Sequence, residues 1–381
     1  MQYRKLHDGR KISNIGFGLY KGQISQKYDQ QLIKCINYGI KKGVNVIDTA
    51  QKYRDGRSEK ILKKIKSIKK SRKNFILISK VGLVADYVKK KNILKKLKVK
   101  KEDCLPRNDF CIDPQYINWS LDNSLKLTGL EYIDFYLLHN PEYALQLKNG
   151  FKKIINALKI LEKKRSEGKI HYYGIATWSG LRRFKGNKNR LDLYKILKKL
   201  NQIFGKHHGF RCLEAPLSIA MPDILNHKIS KKENLFKFLN KNKINFFTSA
   251  TLYEGNLNKF QDLNKIYNSS KQLKDSTNEL NQINITFPKS ENSIRRLFIL
   301  LENLKNNSIN LEVLSKKFSK SKDIIGLTIN FIKILNDIKC NLIGMEKKEF
   351  VLKNIRELNH QLKSKEKSQL KKIWKKIQKN L

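Results

Sequence analysis

Short apolar runs alternate along the chain with segments in which apolar residues recur at helical spacing. The runs have strand length and are rich in β-branched and aromatic residues, which is typical of buried strands. The predicted strands are 12–18, 44–47, 75–78, 133–138, 172–176, 210–213, 244–247 and 340–343. The predicted helical segments are 32–40, 61–68, 117–125, 151–164, 191–203, 235–239 and 324–335. This strand and helix order predicts a parallel sheet, in which the carboxyl ends of all strands lie at one edge.

A count of about eight strands predicts a (β/α)8 TIM barrel, whose active site would lie at the carboxyl-end face. An open doubly wound sheet is the competing arrangement. It would usually carry a G-x-G-x-x-G turn after its first strand, and the segment 16–22 (Gly-Phe-Gly-Leu-Tyr-Lys-Gly) lacks that spacing. The barrel is therefore the favoured fold.

Polar residues close three consecutive predicted strands. Asp48, Lys80 and His139 follow the second, third and fourth strands, and Tyr53 lies shortly after Asp48. At the carboxyl edge of a parallel sheet these side chains would meet. A phenol is a weak acid with a reference pKa of about 10, and a nearby ammonium such as that of Lys80 favours its ionised form.

The remaining two side chains fit the same chemistry. Asp48 would keep Lys80 charged in a dry site, and His139 would orient or polarise an oxygen beside the phenol. The set predicts reduction of a carbonyl by hydride, with Tyr53 protonating the developing alkoxide. Each residue alone has a purely structural explanation as a helix cap, a packing ring, a surface charge or a loop histidine. One mechanism accounts for all of these positions, which favours the functional interpretation.

Several motifs give the chain a resemblance to a known family. They are Asp48-Thr49-Ala50 with Tyr53, Gly56, Ser58 and Glu59; Ile78-Ser79-Lys80; Tyr132-Ile133-Asp134 leading to Leu138-His139; and Glu167-Gly168-Lys169-Ile170 leading to Tyr173-Gly174-Ile175-Ala176. On these motifs the chain resembles the aldo/keto reductases over most of its length. The segment 138–142 (Leu-His-Asn-Pro-Glu) is similar to a less studied branch of that family.

The resemblance implies a catalytic tetrad of Asp48, Tyr53, Lys80 and His139. It also implies a nicotinamide dinucleotide cofactor, NADPH, with NADH as the alternative. The residues that it implies for cofactor contact are Leu19, Tyr20, Lys21, Thr177, Trp178, Glu214, Ser249, Leu252, Gly255, Gly344, Met345, Lys347, Lys348 and Asn354.

Departures from the family pattern bear on the cofactor. Trp178 stands where the family commonly has Asn, and Glu214 stands where it has Gln beside the nicotinamide. A carboxylate there would favour the positively charged, oxidised cofactor more than an amide does. Phe350 falls where an Arg often binds the 2′-phosphate, and Lys347 and Lys348 would supply the missing positive charge.

The chain is longer than a single barrel needs. It has 381 residues, whereas a typical barrel has about 250. The segments 88–111 and 256–316 are polar insertions that would rise from the substrate face, either as substrate-selecting loops or as disordered segments. We assign residues 1–359 to the barrel with its insertions and residues 360–381 to a basic amphipathic C-terminal helix.

The chain is strongly basic. Its formal net charge of +48 would attract polyanions. Lysines are spread through every predicted helix and form no aromatic-interleaved patch, so compositional drift is favoured over specific nucleic-acid binding. The tail carries an apolar stripe predicted to pack on the domain, with a membrane surface or an acidic partner as the alternative. The residues of that stripe are Leu370, Ile373, Trp374, Ile377 and Leu381.

Other kinds of site lack their signatures. The five cysteines include no C-x-x-C pair, and His207 and His208 have no further ligand at a suitable spacing, so neither a disulfide framework nor a metal site is expected. No apolar segment reaches membrane-spanning length and no signal core is visible, which predicts a cytoplasmic protein. A monomer is favoured, with the oligomeric state left open.

The sequence thus predicts a nicotinamide-dependent oxidoreductase that interconverts an aldehyde or ketone and an alcohol. Two alternatives stay open. One is a barrel that binds the dinucleotide without catalysis, as a regulatory subunit, and the other is a basic protein that binds polyanions.

Overall fold

The structure, a computed structural model, describes residues 1–182, 187–252 and 309–379, with side chains of the last helix described up to residue 376. The chain falls into two compact units. The first comprises residues 1–215, 227–249 and 337–352, and the second comprises residues 216–226, 250–336 and 353–381.

Strands and helices alternate through the described residues. The strands are β1 (Tyr3–Lys5), β2 (Lys11–Ser13), β3 (Ile15–Gly18), β4 (Val46–Asp48), β5 (Ile76–Val81), β6 (Ile133–His139), β7 (Ile170–Ala176), β8 (Phe210–Pro216), β9 (Asn245–Ser249) and β10 (Ile338–Ile343). The α-helices are α1 (Gln26–Lys41), α2 (Arg57–Lys60), α3 (Lys66–Lys70), α4 (Asp86–Lys90), α5 (Ile93–Lys96), α6 (Pro114–Thr128), α7 (Gly150–Ser166), α8 (Leu193–Phe204), α9 (Leu235–Lys241), α10 (Leu311–Phe318), α11 (Ile324–Lys333), α12 (Lys348–Asn359) and α13 (Ser364–Lys379).

The first unit contains a closed eight-stranded barrel. Its strands follow the order β10-β3-β4-β5-β6-β7-β8-β9, and β10 pairs in parallel with both β3 and β9. The predicted (β/α)8 barrel is therefore confirmed, and the open doubly wound sheet is wrong. The carboxyl ends of all eight strands form one rim, called the carboxyl rim below.

Side chains inside the barrel form apolar layers. Successive residues of a strand point to opposite faces, so residues two apart share the interior. The buried interior cluster consists of Leu6, Ile12, Val46, Ile76, Ile78, Phe135, Leu137, Ala176, Cys212, Phe247, Cys340 and Leu342. The residue two positions beyond the last apolar member of a strand therefore also points inward, at the level of the carboxyl rim.

The first predicted strand, 12–18, is split in the structure. β1 and β2 form an antiparallel pair, and only β3 enters the barrel. The break lies at Asn14, whose backbone N–H donates a hydrogen bond to the Gln2 carbonyl (3.1 Å). Leu6 and Ile12 of the hairpin join the interior cluster. The predicted strand thus spans two elements, and the polar residues Ser13 and Asn14 lie where they meet.

The predicted helix over 61–68 is also interrupted. Residues 57–70 form α2 and α3 with a 3₁₀ turn at Ile61–Lys64 between them. Ile65 leaves the helix with an extended backbone (φ −94°, ψ 91°) and is fully buried. Apolar spacing did not show this break because Ile65 keeps its place in the core while its backbone leaves the helix. The other predicted helices are present.

The predicted insertion at 88–111 has packed structure of its own. It contains α5 and two 3₁₀ turns, and an antiparallel bridge joins Cys104 to Cys111. Val88 and Leu94 bury their side chains. The alternative of disorder therefore does not describe this segment.

The predicted insertion at 256–316 lies mostly outside the described residues, which resume at residue 309. Its last part enters α10, where the Asn310 side chain accepts hydrogen bonds from the backbone N–H groups of Glu312 (2.9 Å) and Val313 (3.1 Å) and so caps the helix.

The predicted basic tail helix is α13, in the second unit. Trp374 packs against Phe331 of α11 with 4.6 Å between ring centroids, and Leu370 is fully buried. Leu370 and Trp374 of the predicted stripe are therefore buried, whereas Ile377 and Leu381 lie beyond the described side chains. The division of the chain at residue 359 stays a prediction. Among the helices described, none combines the length and apolarity needed to cross a bilayer.

Candidate active site

Strand register places three of the predicted residues in one layer at the carboxyl rim. Asp48 pairs with Ile78 across β4 and β5, so Lys80 lies two residues further along β5. Lys80 pairs with Leu137 of β6, so His139 lies two residues beyond that pair. Residues two apart share a face of a strand. Asp48, Lys80 and His139 therefore point into the barrel, directly above its apolar layers.

Lys80 is buried and surrounded by oxygen acceptors. Its ammonium donates hydrogen bonds to the Asp48 carboxylate and to the Thr49 carbonyl (3.2 Å), and it lies 3.4 Å from the Glu214 carboxylate on β8. Burial alone would lower the pKa of Lys80, but Asp48 and Glu214 raise it above its usual range. The lysine therefore stays charged although its side chain has no contact with water.

Tyr53 lies against this ammonium. Lys80 Nζ is 4.8 Å from the centroid of the phenol ring, and the His139 ring meets the phenol edge to face at 5.6 Å between centroids. Burial raises the pKa of the Tyr53 hydroxyl above its ordinary value, while Lys80 opposes that rise. The phenol and the amine are thus adjacent, as the sequence predicts. The net effect of the pocket is nevertheless opposite to the acidification expected from Lys80 alone, and the hydroxyl stays protonated.

A strained segment fixes the position of Tyr53. Arg54 and Asp55, which follow it, both adopt left-handed backbone conformations (φ 49° and 55°), which are uncommon outside glycine. The buried Arg54 guanidinium donates two hydrogen bonds to the Gln23 carbonyl (3.1 and 2.7 Å) and one to the Asp29 carboxylate of α1. These contacts offset the backbone strain and hold the phenol in place.

His139 and Tyr20 form the walls on either side of the phenol. Burial and the Lys80 charge lower the pKa of His139 well below its usual value, so the imidazole is neutral and has one N–H to donate. The Tyr20 ring lies 6.1 Å from the Tyr53 ring, centroid to centroid. Lys21 places its ammonium 5.5 Å from the Tyr20 ring centroid.

Leu19 connects the segment 19–21, which contains Tyr20 and Lys21, to the end of β4. Its backbone N–H donates to the Asp48 carbonyl (3.0 Å), and its carbonyl accepts a hydrogen bond from the Ser58 hydroxyl (2.6 Å). The predicted cofactor contacts Leu19, Tyr20 and Lys21 therefore lie next to Asp48 and Tyr53.

A carboxylate to which the sequence interpretation gave no role organises the loop after β7. Glu142 is buried and accepts hydrogen bonds from the backbone N–H groups of Trp178 (2.9 Å), Ser179 (2.8 Å) and Gly180 (3.2 Å) and from the Thr177 hydroxyl (2.8 Å). It thereby positions Thr177 and Trp178, two predicted cofactor contacts. The signal available was an acidic residue closing the 138–142 motif, but its partners lie some 35 positions further along the chain.

The other predicted cofactor contacts of the first unit lie at neighbouring strand ends. Ser249 ends β9, and Gly344 and Met345 directly follow β10. Lys347 and Lys348 are exposed, and Lys348 is the first residue of α12.

The last three predicted cofactor contacts do not belong to the described part of the first unit. Leu252 and Asn354 belong to the second unit, in which Asn354 is buried. Gly255 lies outside the described residues.

The side chains at the rim fit a nicotinamide dinucleotide. Glu214 is buried and its Oε2 accepts no hydrogen bond, so it offers an acceptor that a carboxamide N–H or a positive ring can satisfy. The Trp178 ring is 37% exposed and presents a flat apolar face. Exposed Lys347 and Lys348 offer positive charge for phosphate groups.

His208, one of the two histidines at which no metal site was expected, makes hydrogen bonds within the protein. The buried His208 ring bonds to the Asn201 side chain (3.1 Å) and accepts a hydrogen bond from the backbone N–H of Phe210 (3.2 Å). Within the described part of the chain, no three His, Cys, Asp or Glu side chains are grouped so that they could hold a metal ion.

The fold and the site define a (β/α)8 barrel with an acid–base cluster at its carboxyl rim. The family model described as "Aldo/keto reductase family" matches residues 14–375. The chain therefore belongs to the aldo/keto reductase family, as its motifs predicted.

Individual relatives are distant. A putative voltage-gated potassium channel subunit beta of Schizosaccharomyces pombe is 27% identical over 173 residues, which cover 45% of this chain and 43% of that protein. The chain spans about half the length of the curated relatives it matches.

Solved structures share the fold. The holo form of an aldo-keto reductase from Bacillus halodurans superposes with a TM-score of 0.61 at 16% identity, covering 98% of this chain and 96% of that one. An aldo/keto reductase from Klebsiella pneumoniae in complex with NADP and acetate gives a TM-score of 0.54 at 16% identity, covering 97% and 94%.

Proposed function

We propose that this protein is an NADP(H)-dependent oxidoreductase that interconverts an aldehyde or ketone and an alcohol. The observation that carries the proposal is the buried ammonium of Lys80, which bonds to Asp48 and lies 4.8 Å from the ring centroid of Tyr53. Bound nicotinamide would supply or accept the hydride.

The chain's own residues handle the proton. In reduction, Tyr53 donates its hydroxyl proton to the oxygen that becomes the alcohol, and Lys80 stabilises the phenolate that remains. Neutral His139 donates its N–H to the same oxygen and orients the substrate. The carboxylate pair of Asp48 and Glu214 keeps Lys80 charged. In alcohol oxidation Tyr53 acts as the base and takes the proton of the alcohol.

NADPH is the proposed cofactor, with NADH as the alternative. Lys347 and Lys348 lie exposed at the start of α12, where a helix N-terminus and two ammonium groups favour a phosphate. The similar Klebsiella pneumoniae protein was crystallised with NADP, which supports this assignment.

A regulatory barrel without turnover is the second candidate, and the similarity to a putative channel subunit is the observation that favours it. Both functions need the dinucleotide contacts. The buried Asp48–Lys80 pair next to a protonated phenol favours catalysis, because a binding protein gains nothing from burying that charge.

The test is turnover, followed by nicotinamide absorbance with both cofactors against a panel of aldehydes, ketones and sugars. Tyr53→Phe removes only the proton donor and is expected to lower kcat by roughly 10² to 10⁴, with cofactor affinity nearly unchanged. Tyr194→Phe is the matched control, since Tyr194 is 53% exposed on α8, and it should retain full activity. Cofactor binding without turnover on any substrate would favour the regulatory candidate, and full activity of Tyr53→Phe would reject the assignment of the acid.

A further inference from the structure

Glu214 is the second buried carboxylate close to the ammonium of Lys80, after Asp48. It lies on β8 two residues after Cys212, a member of the interior cluster, so its side chain points inward at the carboxyl rim. Its side chain is only 5% exposed and one carboxylate oxygen lies 3.4 Å from Lys80 Nζ. That oxygen accepts no hydrogen bond. Glu214 is thus buried with an ammonium that Asp48 already uses.

Within residues 1–182, 187–252 and 309–379, the surrounding groups do not balance this charge. The titratable groups that face Asp48, Lys80 and Glu214 are Tyr53, His139, Cys212, Cys340 and Glu59. Burial raises the pKa of the phenol and of both thiols, and burial with the Lys80 charge lowers that of the imidazole. All four of these groups are therefore neutral near pH 7. The fifth, Glu59, is an acid bound to Ser79 (2.6 Å) and supplies no positive charge.

Two buried carboxylates on one ammonium leave one uncompensated negative charge if both are ionised. Such a charge is costly in a dry interior, and proteins avoid it by holding a proton. We propose that Asp48 and Glu214 share one proton in the absence of cofactor and release it when an oxidised nicotinamide binds, so that this chain binds oxidised cofactor increasingly better than reduced cofactor as the pH rises.

This inference rests on the proposed function, because that function fixes where the nicotinamide lies. The ring carbon that exchanges hydride must approach the carbonyl carbon whose oxygen meets Tyr53, and Tyr53 is in contact with Lys80. The nicotinamide would therefore bind at the same end of the barrel as Asp48 and Glu214. An oxidised nicotinamide ring carries one positive charge and a reduced ring carries none. Only the oxidised ring can therefore compensate the second carboxylate once the shared proton has left.

The balance of charge is simple. Without cofactor the cluster holds one ammonium, one carboxylate and one protonated carboxyl, and is neutral. With oxidised nicotinamide the proton goes to solvent, and the second carboxylate pairs with the ring. Consistent with this, burial and the neighbouring Glu214 raise the pKa of Asp48 to about 8, against the opposing effect of Lys80. At pH 7 the pair therefore holds the proton that binding must release.

The first experiment measures the dissociation constants of the oxidised and reduced cofactors against pH by calorimetry and tryptophan fluorescence. Phosphate ionisation is common to both forms and cancels in their ratio. For release of one proton from a pair with a pKa of about 8, the ratio of oxidised to reduced Kd should fall roughly 25-fold between pH 6.5 and 8.5. Calorimetry in buffers of different ionisation enthalpy at pH 7 should show close to one proton released with the oxidised cofactor and close to none with the reduced one.

Two isosteric variants assign the proton. Glu214→Gln removes the second carboxylate and is expected to flatten the pH dependence of the ratio and abolish proton release. Glu59→Gln is the matched control: it removes another buried carboxylate near Lys80, one that binds Ser79, and it should leave the pH dependence in place.

The outcomes separate the inference from the function. If neither cofactor binds, the proposed function fails. If both bind and the ratio of their Kd values does not change with pH in the native protein, or if Glu59→Gln abolishes the dependence while Glu214→Gln retains it, the inference is overturned and the proposed function survives. The calorimetry uses the native chain, so it decides the matter even if a variant does not fold.

Discussion

The interior of the barrel changes character between two successive layers of the same strands. On β5, Ile78 lies in an apolar layer, and Lys80, two residues later on the same face, carries a buried charge. On β8 the same step leads from Cys212 to Glu214. Both layers are equally dry. The lower layer is stabilised by removing apolar surface from water, whereas the upper layer is stable only because its charges have partners.

This difference separates folding from chemistry over a distance of two residues. Substitutions in the apolar layer should change stability and spare the reaction. Substitutions in the charged layer should change the reaction and the dependence on pH.

The largest effect is expected for Lys80→Met, which keeps the length of the side chain and removes its charge. Turnover should fall by roughly 10² to 10⁴, because Tyr53 loses the ammonium that stabilises its phenolate. The variant should also lose stability as the pH rises from 5 to 8. Its buried carboxylates ionise at a higher pH in the folded state than the ~4 of the unfolded chain, so the folded state binds more protons.

Steady-state kinetics and urea unfolding at pH 5 and pH 8 measure both effects. The native protein is the reference: its Lys80 compensates one of the two carboxylates, so its loss of stability between pH 5 and pH 8 should be smaller than that of Lys80→Met. Activity close to that of the native protein would show that Lys80 is only a packing residue.

In the layer below, Ile78→Ala is expected to cost about 2–5 kcal/mol of unfolding free energy, through lost burial and the cavity left behind. The side chain is fully buried in the apolar interior cluster. Among molecules that stay folded, kcat should remain within a few-fold of the native value. Urea unfolding gives the first quantity, and turnover per mole of folded protein gives the second. A loss of kcat as large as that of Lys80→Met would contradict the separation of the two layers.

Sequence patterns anticipated these layers to different degrees. The strand carrying Lys80 was predicted because its apolar residues have strand length and high β propensity, and its alternation is enough to point Lys80 inward once the strand is recognised. The same alternation points Glu214 inward from β8. The sequence does not show, however, that two strands three places apart in the barrel bring Glu214 within 3.4 Å of Lys80. Barrel closure supplies that proximity.

The geometry of the loop after β7 could not be predicted from sequence patterns, for a different reason. The Glu142 carboxylate bonds to backbone N–H groups of Trp178, Ser179 and Gly180, and backbone donors leave no mark on residue type. The extended backbone at Ile65 is equally invisible, because an isoleucine is buried equally well in a helix or outside one. Both features arise from tertiary packing, which overrides local propensity.

A smaller effect is expected for Glu142→Gln. This variant tests whether the Glu142 charge, which holds the loop after β7, affects cofactor binding or the chemical step. The amide keeps one acceptor oxygen but loses the charge that strengthens three backbone hydrogen bonds. The Thr177–Gly180 loop should loosen, raising cofactor Kd about tenfold, equivalent to ~1.4 kcal/mol, with kcat at saturating cofactor changed by less than threefold.

The split between cofactor Kd and kcat is the measurement that matters for Glu142. Glu142→Asp retains the charge and should recover part of the affinity. Equal losses in kcat and affinity would place Glu142 in the reaction itself instead of in the loop.

The smallest effect is expected for a charge outside the barrel interior. Asp86 is exposed on α4 and pairs with Lys52 (3.0 Å) and Lys89 (3.3 Å), and its hydrogen bond from Lys52 lowers its pKa. Water screens both pairs, so Asp86→Asn should change the free energy of unfolding by less than ~1 kcal/mol and leave kcat unchanged. Thermal unfolding at low and high salt measures this. Since the same carboxylate chemistry is decisive at Asp48 and nearly silent at Asp86, a large loss at Asp86 would mean that burial does not distinguish the two regions.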